Sequence, residues 1–548
     1  MKGMSGQDAT KELRPRLVEV VAALSLAADL GLGQAMEHGM RACIIAMRLS
    51  NALGLEEQMR EDVYWVSLLG MVGCTADSYE LRLIWGDDLA LRAGMFHAGP
   101  SELSIARYFL SRAGSDGGPA RRARKRTGLL TTGLRAVAES LATHCQVTGR
   151  LAEQLRFGPG VRDPLQHTFA RWDGKGVPRG LSGEAIALAA RLLVVANYIE
   201  VEHRLRGVEA AIAFSRRFAG SVMDPEVVEA LVRGAGEILH DLDEHSWDAV
   251  VAAAPGGRAR LLGAELDETL AALGDFADLK SPWFSGHSAR VAEVAAAAAT
   301  HLHFPTDEIT RLRRAALVHG LGRAGVPNTI WDKPDALTTS ERERMQLHAY
   351  YTDRILRRGS LVGLADLSSA AHERLDGSGY PRGLSGAAIS PSARVLAAAD
   401  VYDALTSARP HRDALPPEHA KKQLREQARA GQLDSDSVDA VLAAAGHGPP
   451  ARPAAPAGLT PREVEVLKLI AIGHTPPLRS QRRSASRQRP PTITSSTSTP
   501  RSAPPIDPWP RCSRCSTDSS RCTRQPVGAM RARSGRRGAS LLASPLLF

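Results

Sequence analysis

Between Ala371 and Asp403 the chain reads AHERLDGSGYPRGLSGAAISPSARVLAAADVYD. The stretch gathers a His-Glu pair (His372, Glu373), a glycine-rich polar loop ending in Gly379-Tyr380-Pro381, and an apolar helical run carrying Asp400 and Asp403. Neutral imidazole and ionised carboxylate both donate electron pairs to divalent cations, so these residue types suit a metal-dependent hydrolase. Glycine lets a backbone approach a ligand closely or adopt positive φ, and proline fixes a loop. A purely structural turn accounts for the same loop residues.

The elements that must position this stretch occur twice. WDGKGVPRGLSGEAIALAARLLVVANYIE (172–200) matches LDGSGYPRGLSGAAISPSARVLAAADVYD (375–403). Further upstream, the segment at His144 pairs with that at His348, the one at His38 with His287, and the one at Gly70 with His319. Both His38 to Gly70 and His287 to His319 span 32 positions. An insertion in the first copy, roughly 87–130, holds the basic run RRARKR (121–126). Duplication on this scale, in a chain rich in Ala, Leu, Val and Arg with 5% aromatics, predicts an all-α protein of two tandem helical bundles packed as a pseudo-dimer. The expected layout is a first copy over 14–250, a linker over 251–269, a second copy over 270–445 and a Pro/Gly/Ala-rich tether over 446–458.

The loop, the late aspartate and the upstream histidines together resemble the HD-GYP phosphodiesterases, members of the HD superfamily that open cyclic di-GMP. The resemblance implies two HD-type bundles and a metal site in the second copy, with His287, His319, His348, His372 and Asp400 as ligands. It implies divalent Fe, Mn or a similar ion, Arg323 near a phosphate, and Asp376, Gly379, Tyr380, Pro381 and Arg382 in a loop that meets substrate or a GGDEF-type partner. The chain departs from that pattern at three positions: Gly320 follows His319 where the family has Asp, Arg323 replaces Lys, and Ala371 precedes His372 where the family has a second His. Loss of a bridging carboxylate predicts one ion rather than two, and an impaired site. In the first copy only His38 and His144 remain, with Gly70, Met71, Phe169 and Asn197 at the other positions, which predicts a structural or regulatory half. His97 and His167 have no counterparts and read as surface residues.

Residues 459–475 (LTPREVEVLKLIAIGHT) offer Thr460 as N-cap, Pro461 in the first turn and Glu463 as capping partner. This segment resembles the first helix of a LuxR-type helix-turn-helix. The resemblance stops at Thr475. Residues 476–548 are Arg/Ser/Pro-rich without periodicity, a disordered composition that reads as out of frame with an ancestral DNA-binding domain. This gives a second functional reading, a catalytically inactive ligand- or partner-sensing regulator whose DNA binding is lost. The tail's Cys512, Cys515 and Cys522 lack a fourth ligand and read as coincidence. The tail holds 14 Arg, no Lys and two Asp, so of the net +10 it carries +12 and the body about −2, which excludes a general polyanion-binding body. Cys43, Cys74 and Cys145 lack ligand-like spacing, as expected in a reducing cytosol, and no apolar run predicts a membrane span.

Overall fold

Local sequence sets the boundaries of the helices that matter. Pro391 sits in the first turn of helix Pro391–Thr406, and the Ser390 hydroxyl accepts from Ala393 N at 3.3 Å, so two features start this helix at one place. Helix Thr339–Leu356 begins with a capping box in which Thr338 and Glu341 satisfy each other's backbone N–H groups. Helix His287–His301 starts after Gly286, whose left-handed φ of 67° turns the chain abruptly so that His287 faces inward. Glu37 holds the same conformation (φ 73°) before His38, and its carboxylate is anchored by Arg358 at 2.7 Å and Ser246 at 2.5 Å.

The computed structural model describes residues 13–447, apart from 115–117, 119–122, 124–126, 128–133, 243–245 and 257–259. Most of the basic run 121–126, the tether beyond His447, the helix-turn-helix segment 459–475 and the tail 476–548 lie outside the described residues. Among those described, the fold is all-α, with isolated β-bridges and no strand. No helix among them is long and apolar enough to cross a membrane.

The duplication is visible as a repeated helix order. His38–Ala52, Glu57–Leu69, the 3-10 turn Val72–Thr75, Leu134–Gln154 and Leu188–Arg206 recur as His287–His301, Thr306–Val318, Leu321–Gly325, Thr339–Leu356 and Pro391–Thr406. Ser78–Trp85 stands in the place of Asn328–Trp331, and the insertion in the first copy contributes Asp88–Ala98 and Glu102–Arg112.

The halves are more intimately joined than two bundles in contact. One apolar core runs from Val18 to Leu442. Helix Leu17–Gly31 is buried on nearly all sides, against helix His38–Ala52 and turn Val72–Thr75 of one half and turn Leu321–Gly325 and helix Thr339–Leu356 of the other. Its Glu19, Ser25 and Asp29 are buried together with its apolar residues. Its counterpart Gly263–Asp278 packs on Thr306–Val318, Leu321–Gly325 and Leu134–Gln154. The linker expected over 251–269 is correspondingly shorter, because helix Ser246–Ala253 runs into it from one side and helix Gly263–Asp278 from the other. Leu266 and Leu270 give that second helix its buried face.

Candidate metal centre

Three helix ends and two helix middles bring the second-copy histidines and Asp400 into a single buried cluster. His287 opens its helix, His319 ends Thr306–Val318, His348 lies within Thr339–Leu356, His372 closes the short turn Ala370–His372, and Asp400 lies in Pro391–Thr406. Asp403 is one helical turn beyond Asp400, so both carboxylates face the same way.

Each key imidazole is oriented by what its Nδ1 touches. His287 Nδ1 donates to Asp403 Oδ2 at 2.6 Å, His319 Nδ1 to Ala316 O at 2.6 Å, and His348 Nδ1 to Met345 O at 2.6 Å. With Nδ1 protonated in each ring, the Nε2 lone pairs point into the cluster, the arrangement that orients metal-bound histidines. His287 Nε2 and His319 Nε2 lie 3.2 Å apart, and Asp400 Oδ1 is 3.2 Å from the first and 3.5 Å from the second. Two lone pairs that close repel unless a cation or proton lies between them. His287, His319 and Asp400 therefore form a three-ligand group whose donor atoms all lie within 4.8 Å of one another. This donor set, two neutral imidazoles and one carboxylate, fits a divalent transition metal.

The other two predicted ligands stand apart from this trio. His348 Nε2 and His372 Nε2 are 2.8 Å apart, and His372 Nδ1 lies 3.5 Å from Asp400 Oδ2. Asp400 thus presents one oxygen to His287 and His319 and the other to His372. Five ligands on one ion is not the arrangement observed. The five divide into a trio and a pair on opposite sides of one carboxylate.

The electrostatics suit ligation at neutral pH. Burial pushes His348 down to about 3, helped by the charge of Arg323. Burial also lowers His319 and takes His372 well below the ordinary imidazole value, keeping these rings neutral. Burial alone would raise Asp400, but the imidazoles of His372, His287 and His319 hold it well below the usual carboxylate range.

Arg323 lies inside this cluster. Its Nη2 donates to His319 Nε2 at 2.9 Å, so Arg323 must release that lone pair before the imidazole can ligate; its Nη1 donates to Asp278 Oδ1 at 3.3 Å, and the guanidinium rests 4.6 Å from the centre of the Phe284 ring. Arg409 approaches the same ring at 5.1 Å, and burial together with the charge of Arg323 lowers it to about 10. A Cβ at Gly320 would fall 2.8 Å from Arg323 Nη1, so the absence of a side chain at 320 gives the guanidinium its seat.

The glycine-rich loop closes one side. Tyr380 stacks on His372 with ring centroids 5.0 Å apart and planes at 12°. The buried Glu373 carboxylate accepts from Arg382 N and Leu384 N, both at 2.8 Å, and Asp376 accepts from Ser378 N at 2.9 Å. A Cβ at Gly379 would meet Arg374 N at 2.4 Å, so only glycine passes there. Pro381 follows a cis peptide, as does Pro178 in the first copy. The Arg382 guanidinium is engaged with Asp366 at 2.9 Å.

The first copy keeps the frame without the ligands. His38 Nδ1 donates to Glu200 at 2.5 Å, in the position of Asp403, and Gly39 N donates to Asp29 at 3.0 Å as Ser288 N does to Asp278 at 2.8 Å. His144 and Phe169 repeat the His348–His372 ring contact at the same 4.7 Å. However, His144 Nε2 donates to Gly70 O at 2.8 Å, which removes its lone pair from ligation, and Asn197 is neutral. His97 is exposed, whereas His167, expected at the surface, is half-buried because its Nδ1 accepts from Ala187 N at 3.1 Å, capping helix Leu188–Arg206.

Sequence reasoning passed over Asp403, Asp278, Arg409, Phe284 and Trp331 as site residues. The repeat itself carried a signal for two of these, since an acidic residue recurs nine positions before His38 and His287 and another at 200 and 403.

The duplicated helices, with candidate His and Asp ligands drawn from separate elements, agree with the family to which the chain belongs, that of the HD domain, whose profile matches residues 134–227 and 271–436. Among curated proteins it is similar to the 3′3′-cGAMP-specific phosphodiesterase 3 of Vibrio cholerae, 34% identical over 407 residues, covering 73% of this chain and 88% of that protein. It also resembles the cyclic di-GMP phosphodiesterase response regulator RpfG of Xanthomonas campestris, 35% identical over 183 residues, covering 32% of this chain and 47% of that one. Its fold matches the crystal structure of a cyclic GMP-AMP-specific phosphodiesterase of V. cholerae with a TM-score of 0.56 and 28% identity, over 80% of this chain and 99% of the other.

Proposed function

We propose that this chain is a metal-dependent phosphodiesterase that opens a cyclic dinucleotide, with its working centre in the second copy. The observation that carries this reading is the convergence of His287 Nε2, His319 Nε2 and Asp400 Oδ1 within 4.8 Å, each imidazole oriented through its Nδ1. The substrate class follows from the relatives, named for cyclic GMP-AMP and cyclic di-GMP.

His287, His319 and Asp400 would hold one divalent ion. Such an ion supplies Lewis acidity toward a phosphoryl oxygen and lowers the pKa of the attacking water. The protein's own groups do the rest. Arg323 and Arg409, both against the Phe284 ring, place two positive charges beside the cluster, where a phosphodiester's oxygens would be met. The His348–His372 pair, walled by Tyr380, lies across Asp400 and faces the same space. The glycine-rich loop serves the site from within, because Glu373 and Asp376 fix its backbone and Arg382 is tied to Asp366. The first copy acts as a structural half, consistent with an inward-facing donor at His144 and a neutral amide at Asn197.

The test is incubation of the full chain, loaded with Mn or Fe, with 3′3′-cyclic GMP-AMP and with cyclic di-GMP, followed by chromatography of the products. A linear dinucleotide formed from either substrate, abolished by chelation, is expected. A chain that binds metal stoichiometrically yet opens neither ring contradicts the proposal.

A further inference from the structure

Asp88 belongs to the helix Asp88–Ala98 inserted in the first copy, yet its carboxylate is spent on the second. It is fully buried; Oδ2 accepts from Lys280 Nζ at 2.7 Å and from Arg92 Nη1 at 3.2 Å, and Oδ1 accepts from Asn328 N at 2.7 Å. Lys280 and Asn328 are equally buried. Asn328 Nδ2 in turn donates to Lys280 O at 2.7 Å and Asp332 Oδ2 at 2.8 Å, and Ser281 Oγ donates to Asp332 Oδ1 at 2.5 Å. One carboxylate from the first copy therefore joins two second-copy segments, 280–284 and 328–332.

Both segments end on the metal centre. The first carries Phe284, which lies 6.2 Å from the His287 ring and underlies Arg323 and Arg409. The second carries Trp331, 5.3 Å from the His348 ring, whose Nε1 donates to Arg323 O at 3.2 Å. Phe284 and Trp331 meet edge to face at 5.2 Å, forming one aromatic wall. Buried ion pairs are poor devices for stability alone, since desolvation offsets most of their attraction and apolar residues of similar volume do as well. What a multidentate buried carboxylate adds is fixed geometry between the segments it joins.

We infer that Asp88 is a positioning residue for the second-copy site: from the first copy it fixes the Phe284–Trp331 wall, and with it the arginines that meet substrate. This gives the inserted helix a function that the lost ligands of the first copy do not. The effect on substrate rests on the phosphodiesterase reading, but the position of the wall does not.

The experiment uses the full, metal-loaded chain labelled with 5-fluorotryptophan, with the Trp331 resonance assigned by its loss in Trp331→Phe. Asp88→Asn keeps the shape but leaves Lys280 and Arg92 undercompensated. A displaced Trp331 resonance is expected, with the KM for cyclic dinucleotide raised about tenfold and metal affinity within about twofold of wild type. Pairing it with Lys280→Met removes the unpaired ammonium and should restore stability in urea unfolding but not the link, so the resonance and KM should stay displaced; their full return to wild type would show that only the buried charge mattered and would overturn the inference. The double variant, which buries no unpaired ammonium, decides the matter if Asp88→Asn alone does not fold, because the Asn328 backbone N–H that meets Asp88 cannot be removed by a side-chain change. An unmoved Trp331 resonance in a folded Asp88→Asn or Asp88→Asn/Lys280→Met protein likewise overturns the inference. If the chain opens no cyclic dinucleotide, the resonance still reports on the wall, so the two readings fail separately.

Discussion

Replacing Asp403 with Asn tests whether the metal centre is held from behind as the geometry indicates. Asp403 is buried, accepts from His287 Nδ1 at 2.6 Å, and is paired with Arg290 Nε at 2.5 Å. Burial would raise its pKa, but the hydrogen bonds from His287 and Arg290 bring it down to about 2 from 3.8. A shift of that size corresponds to roughly 2–3 kcal/mol of interaction with the charged form, part of it screened because Arg290 is half exposed. Asn keeps an acceptor for one of the two donors and removes the charge that raises the basicity of His287. Loss of such a partner behind a ligating imidazole typically costs about 10–100-fold in metal affinity, or about 1.4–2.8 kcal/mol, in line with the first figure. Calorimetric titration of Mn into wild type and Asp403→Asn at neutral pH reads this directly, with urea unfolding as the check on fold. Because the folded pKa is depressed, the carboxylate's contribution to stability is complete above pH ~4 and lost as pH falls toward ~2, and Asp403→Asn should lack that acid limb. A folded Asp403→Asn protein binding Mn within twofold of wild type would refute the assignment of His287 as a ligand.

Other perturbations follow from the same structure. Asp29 in the first copy is raised to about 7 by burial, so wild-type stability should fall between pH ~4 and ~7 by up to about 4 kcal/mol as the unfolded carboxyl ionises first; Asp29→Asn should flatten that limb in pH-dependent denaturation, and an unchanged slope would contradict it. Gly379→Ala places a Cβ 2.5 Å from Glu373 Cα, against backbone that cannot yield, and should cost about 1–3 kcal/mol in thermal unfolding while lifting Tyr380 off His372. Gly320→Asp places its Cβ 2.8 Å from Arg323 Nη1 and so displaces the buried guanidinium from its seat; the added carboxylate should raise the metal bound per chain above one by elemental analysis, and unchanged stoichiometry would count against a second position across Asp400.

That these residues gather in one buried cluster was largely legible along the chain, whereas how they divide within it was not. The recurring 32-residue spacing and the late aspartate point to His287, His319, His348, His372 and Asp400, because repeats and residue types are properties of the sequence itself. That Asp400 turns one oxygen to His287 and His319 and the other to His372 depends on side-chain direction in four separate elements, which spacing does not carry. Asp403 stood in the stretch that drew attention first, but its role appears only when helix Pro391–Thr406 is laid against the start of helix His287–His301. Gly320 looked like a simple loss of a ligand, and the structure shows the space it leaves taken by the Arg323 guanidinium. The contact of Asp88 with Lys280 joins residues 192 positions apart across the two copies, and no local pattern announces it. The resemblance of residues 459–475 to a helix-turn-helix concerns residues outside those described.

The central claim is that the second copy, and not the first, is the metal centre. An anomalous difference map from crystals of the Mn-loaded chain tests it most directly. The account predicts a peak between His287 Nε2, His319 Nε2 and Asp400 Oδ1, and none at His38. A peak at His38 and Asn197, or no peak among the second-copy ligands at saturating Mn, would contradict it.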